Sequence, residues 1–196
     1  MRGKLFIFDG IDGSGKSTIA KNLAKRFKGV YLKEPGTKGV RKLIRKAILQ
    51  EIDPLTELFL FLADRRENYL EIKKLLNNGN LIFLDRSFPS TLAYQLMGKN
   101  LEKIISIENY LALDHLVRFH IEPDAVFIFD LPVDIALKRI KLRKRKMNKF
   151  EVKKFLWKVR RNFIYLAKKF GWIVINAEKK PKEIIDDIEE FLKDKI

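Results

Sequence analysis

The glycine-rich segment at residues 10–17 constrains the fold of this chain more than any other. It reads Gly-Ile-Asp-Gly-Ser-Gly-Lys-Ser and matches the pattern G-x-x-x-x-G-K-[ST]. An apolar run at residues 5–8 precedes it, and a stretch with helical character at residues 17–27 follows it. A loop of this kind turns its backbone N–H groups inward, and the N-terminus of the following helix favours anions. The sequence therefore predicts a strand, a phosphate-binding loop and a helix, in that order.

The side chains of this loop predict a nucleoside triphosphate as its ligand. Lys16 is long enough to reach the β- and γ-phosphate oxygens, and the Ser17 hydroxyl is a ligand for Mg²⁺. We expect the following residues to hold that nucleotide, which the family resemblance described below implies is ATP: Gly10, Ile11, Asp12, Gly13, Ser14, Gly15, Lys16, Ser17 and Thr18. The alternative is a glycine-rich turn that carries a lysine by chance.

Short apolar runs alternate with helical periods along the whole chain. The strand candidates are residues 4–8, 29–33, 80–84, 125–129 and 172–176. The helix candidates are residues 17–27, 38–50, 54–77, 88–97, 101–119, 132–143, 150–170 and 181–194. The strand candidates lack polar alternation, as in parallel strands that are covered on both faces. The sequence predicts an α/β fold, a doubly wound five-stranded parallel sheet flanked by helices, in a single domain over residues 1–196.

Polar residues follow several of the strand candidates. In a doubly wound fold the ligand crevice lies at the C-terminal ends of the strands, which here selects residues 9–18, 34–37 and 85–90 and Asp130. A carboxylate at Asp85 can hold Mg²⁺ through water next to the phosphate loop. The adjacent Arg86 can bridge phosphates with its planar donor fork. The alternative for this pair is a surface ion pair at a strand end.

Phe61 and Arg65 form a second candidate pair within a predicted helix. They are four residues apart and therefore lie on one helix face. An aromatic ring beside a guanidinium suits a flat ligand that carries oxygen acceptors. The alternative is a core phenylalanine next to a solvated arginine.

The chain is strongly basic, with 41 Lys and Arg against 25 Asp and Glu and a formal net charge of +16. Such a charge fits nucleic acid, an acidic membrane surface or polyanionic small substrates. The basic run within residues 141–150 predicts a lid that closes over phosphates, with a solvated helix end as the alternative. Cysteine is absent, which excludes disulfides and thiolate chemistry.

Nothing in the sequence predicts a membrane protein or a secreted one. No apolar stretch approaches the roughly 20 residues that span a bilayer. No secretory signal precedes the first strand candidate. We therefore expect a cytoplasmic protein without a membrane partner.

Taken together, these motifs resemble those of the thymidylate kinase family over nearly the whole chain. The matching segments are F-D-G-I-D-G-S-G-K-S-T at 8–18, E-P-G at 34–36, L-F-L-A-D-R at 60–65, D-R at 85–86, S-T-L-A-Y-Q at 90–95, P-D at 123–124, L-P-V at 131–133 and F-E at 150–151. One motif alone would be weak, whereas their order along the chain is specific. The resemblance implies Mg²⁺-dependent transfer of the γ-phosphoryl group of ATP to dTMP, which gives dTDP.

The resemblance also implies a site for dTMP. Its residues would be Asp12, Glu34, Pro35, Arg45, Phe61, Arg65, Arg86, Ser90, Thr91, Tyr94 and Gln95. In the family pattern, Phe61 would stack on thymine, and Arg65 would donate to a thymine carbonyl oxygen. Tyr94 would crowd the sugar 2′ position and so favour deoxyribose.

Roles in catalysis and metal binding follow from the same resemblance. The implied catalytic residues are Lys16, Arg86, Asp12 and Arg143, and the implied metal site comprises Ser17, Asp85 (through water) and Asp12. Arg45 and Arg86 would grip the acceptor phosphate, and Arg139 would stack on adenine. Because the loop carries Gly13 after Asp12, we expect the lid, through Arg143 or Arg145, to supply the arginine that some family members carry in the loop.

The resemblance further implies a homodimer, with residues 54–77 and 88–119 as the candidate interface. Two other functions stay open at this point. One is a related kinase for another nucleotide or a deoxynucleoside. The other is a P-loop ATPase that binds nucleic acid, which the +16 charge motivates. We regard nucleic acid as the less favoured partner because the basic run lacks interleaved aromatic residues.

Overall fold

The five predicted strands form one parallel sheet. The structure is a computed structural model that describes residues 2–50, 52–142, 152–193 and 195–196. The strands are β1 (Lys4–Gly10), β2 (Val30–Lys33), β3 (Leu81–Asp85), β4 (Ala125–Asp130) and β5 (Ile173–Asn176). Their order across the sheet is β2-β3-β1-β4-β5, and every neighbouring pair is parallel.

Helices flank this sheet. Their bounds are α1 (Lys16–Arg26), α2 (Lys38–Gln50), α3 (Pro54–Asn77), α4 (Phe88–Ser90), α5 (Ile107–Val117), α6 (Val133–Lys141), α7 (Lys153–Phe170) and α8 (Pro181–Lys193). α1 packs on α8, whereas α3 packs on α2 and α5, and α7 packs on α6. The predicted doubly wound α/β fold is therefore confirmed. Among the described helices, none combines the length and apolarity needed to cross a bilayer.

The centre of the sheet is apolar because its strands are covered on both faces. Phe6, Phe8, Phe83 and Phe127 are fully buried, and the rings of Phe8 and Phe127 stack with centroids 5.2 Å apart. Burying a side chain of this size stabilises the fold by roughly 1.5–3 kcal/mol. The core therefore fixes the positions at which the strands end, and the polar residues beyond those ends share one edge of the sheet.

The prediction of one helix over residues 88–97 is wrong in form. The segment begins with the single turn of α4 and continues as a π-helix at Thr91–Leu96. The Met97 N–H accordingly donates to the Leu92 carbonyl, five residues back, at 2.9 Å. π-Helical turns are rare and occur frequently at functional sites. Here the wider turn carries Thr91, Tyr94 and Gln95, three of the predicted site residues.

The predicted helix over residues 101–119 is also divided. A 3₁₀ turn at Leu101–Lys103 comes first, and α5 begins only after Ser106. The Ser106 hydroxyl accepts a hydrogen bond from the Asn109 N–H at 3.1 Å and so caps the N-terminus of α5. The sequence pattern did not reveal this cap, which fixes the residue at which α5 begins. The predicted lid lies almost wholly outside the described residues, because only Lys141 and Leu142 of residues 141–150 are described.

Candidate active site

The phosphate loop adopts the conformation that its glycines permit. Gly13 has φ +87°, and a Cβ there would lie 2.6 Å from the Ala136 carbonyl oxygen of α6. Gly15 has φ +89° and precedes Lys16, the first residue of α1. In the part of the chain that the structure describes, no side chain caps this helix and no acidic residue occupies its first turn. The N-terminus of α1 is thus open to an anion.

Lys16 is a buried cation at the start of this helix. It is 4% exposed, and its ammonium donates to the Ile11 carbonyl at 3.2 Å. Burial, aided by the positive charge of Arg86, lowers the pKa of Lys16 from 10.5 to about 8. The fold therefore disfavours the charged form of this lysine, and an anion beside it would reverse that shift.

Asp85, at the end of β3, receives hydrogen bonds from two neighbouring elements. The Ser17 hydroxyl donates to its Oδ2 at 2.5 Å, and the Tyr31 hydroxyl donates to the same oxygen at 2.8 Å. The Lys33 ammonium lies 3.1 Å away. Burial raises the pKa of Asp85, but Lys16 and the other nearby cations outweigh it, so the net shift is downward. Asp85 is therefore an ionised carboxylate against the phosphate loop.

The second oxygen of Asp85 bears on metal binding. Oδ1 is buried and has no hydrogen-bond partner among the described residues. An ionised oxygen in that state fits a donor such as metal-bound water. Within the described ranges, no group of three or more His, Cys, Asp or Glu side chains is placed to hold a metal. A cation here would therefore depend on phosphate oxygens as further ligands.

Arg86 connects the phosphate loop to the loop after β3. Its Nη2 donates to Asp12 Oδ1 at 2.9 Å, and its Nη1 donates to Ser90 Oγ at 2.7 Å. The guanidinium also lies over the Tyr94 ring, 5.2 Å from its centroid. The Tyr94 hydroxyl accepts a hydrogen bond from the Asp12 N–H at 3.1 Å. Four residues that the sequence selected from distant segments, Asp12, Arg86, Ser90 and Tyr94, are thus brought together.

Asp9 holds these two loops in place, a role that the sequence did not reveal. Its carboxylate accepts from the Gly10 N–H at 2.8 Å, from the Ser90 hydroxyl at 2.6 Å and from the Ser90 N–H at 2.9 Å. Burial raises the pKa of Asp9, and the charge of Arg86 opposes that shift. The only signal in the sequence is its position after the first strand candidate, within the strand-end segment 9–18.

Arg65 is not solvated but is the centre of a buried polar network. It contacts Glu34, Thr91, Tyr110 and Asp114 at 2.8–3.1 Å. Phe61 lies one helical turn earlier on α3 and is partly buried. Arg65 therefore faces the π-helix through Thr91, and the alternative of a solvated arginine is wrong.

The remaining predicted site residues lie on several different elements of the fold. Gln95 is buried and donates to Glu57 at 3.0 Å, so its amide faces α3. Arg45 lies on an exposed part of α2, and Pro35 follows a cis peptide bond. The guanidinium of Arg139 donates to the Ala177 carbonyl at 3.4 Å and lies close to Gly15. Arg143 and Arg145 lie outside the described residues.

Two further residues beside the site, Tyr31 and Lys33, were also missed. They lie on β2, and strand pairing places Lys33 opposite Asp85. Only the order of the strands reveals this contact, since β2 and β3 are far apart in sequence. Asp130, which the strand-end rule selected, is instead paired with Arg160 at 2.6 and 2.8 Å. Its charge is therefore largely neutralised by α7.

A phosphate loop on a five-stranded parallel sheet, faced by a strand-end Asp-Arg pair, defines a phosphotransferase of the P-loop kinase class. Sequence comparisons narrow this class. A sequence model of the family "Thymidylate kinase" matches residues 8–188, and the chain belongs to that family.

Relatives from three organisms cover nearly the whole chain. It is 38% identical to a "Probable thymidylate kinase" of Methanosarcina barkeri, over 98% of both chains. It is 33% identical to a "Thymidylate kinase" of Prochlorococcus marinus, over 98% of this chain and 93% of the relative. It is 36% identical to a "Probable thymidylate kinase" of Methanocaldococcus jannaschii, over 95% and 94%. The family resemblance of the sequence motifs is confirmed.

Proposed function

We propose that this protein transfers the γ-phosphoryl group of ATP to dTMP, giving dTDP and ADP, with residues 1–196 acting as one kinase domain. The observation that carries the proposal is the fork of Arg86. Its Nη2 is bonded to Asp12 of the phosphate loop, and its Nη1 is bonded to Ser90 of α4. A group in that position contacts a donor on one side and an acceptor on the other. The need for ATP and dTMP supports a cytoplasmic location.

The donor would bind across the N-terminus of α1. Backbone N–H groups of residues 10–18 and the ammonium of Lys16 would surround its phosphates. The Ser14 hydroxyl, buried and without a partner among the described residues, suits one more phosphate oxygen. Arg139 would stack on adenine, and its contact with Ala177 O supports this because it holds the guanidinium between the loop and the end of β5.

Mg²⁺ would bind between Ser17 and Asp85. The Ser17 hydroxyl would leave Asp85 and ligate the ion, while Asp85 Oδ1 would accept from a metal-bound water. Asp12, whose carboxylate is bonded to Arg86, would approach the ion from the phosphate loop. The ion would supply positive charge to the β- and γ-phosphate oxygens.

The acceptor would bind between α3 and the π-helix. Phe61 would stack on thymine, Arg65 would recognise a carbonyl oxygen, and Ser90 or Thr91 would line the base pocket. Tyr94, packed under Arg86, would exclude a 2′-hydroxyl. Arg45 and Arg86 would hold the phosphate, while Glu34, Pro35 and Gln95 would form the surrounding wall. Gln95 reaches the base only by leaving Glu57.

The mechanism requires alignment and charge neutralisation more than proton transfer. The attacking oxygen of a nucleoside monophosphate is already anionic, so a general base is unnecessary. Lys16 and Arg86 would compensate charge on the moving phosphoryl group, and preorganised donors of this kind lower the barrier because they need no reorganisation. A lid arginine, Arg143 or Arg145, would complete this set because the loop carries Gly13 in place of an arginine.

A substrate panel tests the proposed function directly. ADP release is measured with Mg-ATP and each of dTMP, dUMP, UMP, CMP, dCMP, AMP, GMP and thymidine. We expect turnover with dTMP, weaker turnover with dUMP and none with ribonucleotides, because Tyr94 crowds the sugar. ATP hydrolysis that ignores every acceptor would contradict the proposal. Steeply salt-dependent DNA binding together with that result would instead favour the nucleic-acid-binding ATPase.

We also propose a homodimer that buries the exposed apolar side chains of α2, α3 and α5. These are Leu43, Leu49, Phe59, Leu70 and Leu116, which are 43–76% exposed. Burial of such exposed apolar side chains against a second copy of the protein would be favourable. Sedimentation at micromolar concentration should give a dimer, which Phe59→Lys converts to a monomer. The matched control is Val174→Lys on β5, also exposed, which should stay dimeric. A monomeric unmodified protein would contradict this proposal.

A further inference from the structure

A row of four buried charged side chains extends from the end of β2 to the C-terminus of α5. Its members are Glu34, Arg65, Asp114 and Arg118, which alternate in sign and are 3%, 1%, 0% and 3% exposed. Glu34 pairs with Arg65 at 2.9 Å, Arg65 pairs with Asp114 at 2.8 Å, and Asp114 pairs with Arg118 at 2.5 Å. Of the two carboxylates in this set of four charges, Glu34 belongs to the proposed acceptor pocket, whereas Asp114 has no role in phosphoryl transfer, so the cost of burying Asp114 needs another explanation.

Every N–H group of Arg65 has a partner. Nε donates to Glu34 Oε2 at 3.0 Å, and Nη2 lies 2.9 Å from the same oxygen. Nη1 donates to Asp114 Oδ1 at 2.8 Å and to the Tyr110 hydroxyl at 3.1 Å. The second hydrogen of Nη2 goes to Thr91 Oγ1 at 2.9 Å. An arginine has five N–H donors, so a nucleobase oxygen must replace or share one of these bonds.

The bond to Thr91 is the one that a nucleobase can take over most easily. Both partners are charged in the bonds from Arg65 to Glu34 and Asp114, whereas only the donor is charged in the bond to Thr91, so the two ion pairs are harder to displace. Thr91 is a neutral acceptor on the π-helix, next to Ser90 of the Arg86 contact. Replacing the Thr91 bond leaves the two ion pairs intact, and the guanidinium keeps its plane.

We propose that Asp114 is a positioning residue for nucleobase recognition: with Tyr110, it holds Nη1 of Arg65 and thereby leaves the Thr91-facing hydrogen of Nη2 as the donor for a base carbonyl oxygen. This inference rests on the proposed function, because it assigns the base-recognition role to Arg65. Tyr110 is part of the same hydrogen-bond network, since its hydroxyl also donates to Asp114 Oδ1 at 3.3 Å. The carboxylate is thus tied to Arg65 directly and through Tyr110.

The ion pair between Asp114 and Arg118 supplies a matched control. Arg118 donates to the other oxygen of Asp114, contacts the Ile121 carbonyl and lies over the Phe88 ring at 4.5 Å. Its contacts do not include Arg65. Asp114→Asn and Arg118→Gln therefore both break the same buried ion pair, but only the first removes the charge that faces Arg65.

The test measures kcat and KM for dTMP and for dCMP, whose base offers an amino group where thymine offers a carbonyl oxygen. In Asp114→Asn we expect the preference for dTMP to fall at least about tenfold, mainly through the KM for dTMP. Arg118→Gln should change that preference less than about twofold, although both variants lose thermal stability through the broken pair. Asp114→Glu, which retains the charge, should recover part of the preference.

A second measurement does not depend on turnover. In ¹⁵N-arginine spectra of the nucleotide-free protein, the buried N–H groups of Arg65 should exchange slowly with solvent. Asp114→Asn should accelerate that exchange, and Arg118→Gln should not. Equal losses of preference in both variants, or unchanged Arg65 exchange in Asp114→Asn, would overturn the proposal. If the unmodified protein phosphorylates no monophosphate, the proposed function fails, and the arginine spectra alone decide whether Asp114 positions Arg65.

Discussion

Replacing Lys16 with Met is expected to lower kcat about 100- to 1000-fold, the usual loss when one preorganised donor to transition-state charge is removed. The variant should fold at least as stably as the unmodified protein. At pH 7 the fold holds Lys16 charged and buried, with the Ile11 carbonyl as its hydrogen-bond acceptor, so an apolar side chain of similar length removes a cost. Turnover and the melting temperature are measured on the same sample.

We expect Lys16 to take up a proton when ATP binds. Its pKa is about 8 in the fold and 10.5 in the unfolded chain, so the unfolded chain binds more protons between these values. The free energy of unfolding contributed by Lys16 therefore rises with pH from about 8 to 10.5. Bound phosphate should raise the pKa again, so above pH 8 ATP binding takes up a proton and weakens as pH rises.

The control for Lys16 is Lys25→Met on the same helix. Lys25 is exposed and lies in the last turn of α1, at the opposite end of the helix from the phosphate loop. Calorimetry in two buffers of different ionisation enthalpy, at pH 8.5, should show proton uptake in the unmodified protein and in Lys25→Met. Uptake that persists in Lys16→Met would contradict the assignment, as would a kcat close to that of the unmodified protein.

The architecture was predictable because each of its parts is encoded locally. The strands at Leu81–Asp85 and Ala125–Asp130 are short, apolar and buried on both faces, which leaves a pattern that needs no partner to be recognised. The phosphate loop is likewise encoded in one continuous segment, because Gly13, Gly15 and Lys16 are close together in the sequence and lie in the same loop. Asp85 and Arg86 follow a strand directly, and that position was enough to select them.

The contacts that complete the site were not predictable because they join segments far apart in sequence. Asp114 meets Arg65 from α5, 49 residues later, and a lone aspartate in a helix gives no sign of a buried partner. Tyr31 reaches Asp85 only because β2 is the neighbour of β3. The π-helix escaped detection for a related reason. Its residues have ordinary helical preferences, so the widened turn is not visible in the sequence pattern.

Arg86→Lys is the second substitution for which we expect a large effect, with kcat/KM for dTMP reduced about 100-fold. Lysine retains the charge but lacks the planar fork, in which Nη2 bonds Asp12 and Nη1 bonds Ser90, so its one ammonium cannot hold both acceptors in that fixed geometry. Loss of either bond misplaces the phosphate loop relative to the acceptor, and misplacement by about 1 Å costs about 100-fold in rate. Steady-state kinetics with dTMP and ATP varied independently measure this loss.

Arg66→Lys is the matched control for Arg86→Lys. Arg66 lies on the exposed side of α3, where it packs on the Phe119 ring at 3.4 Å and donates to the Leu116 carbonyl. Its replacement removes an arginine fork outside the site and should leave kcat/KM within about twofold, as is usual for surface substitutions. If Arg86 acts through its geometry, Asp12→Asn in the Arg86→Lys background should add little further loss, because the bond between them is already broken. If the losses in kcat/KM of the two single variants add fully in the double variant, Asp12 and Arg86 act separately. The pair of hydrogen bonds from Arg86 to Asp12 and Ser90 would then not be the basis of catalysis.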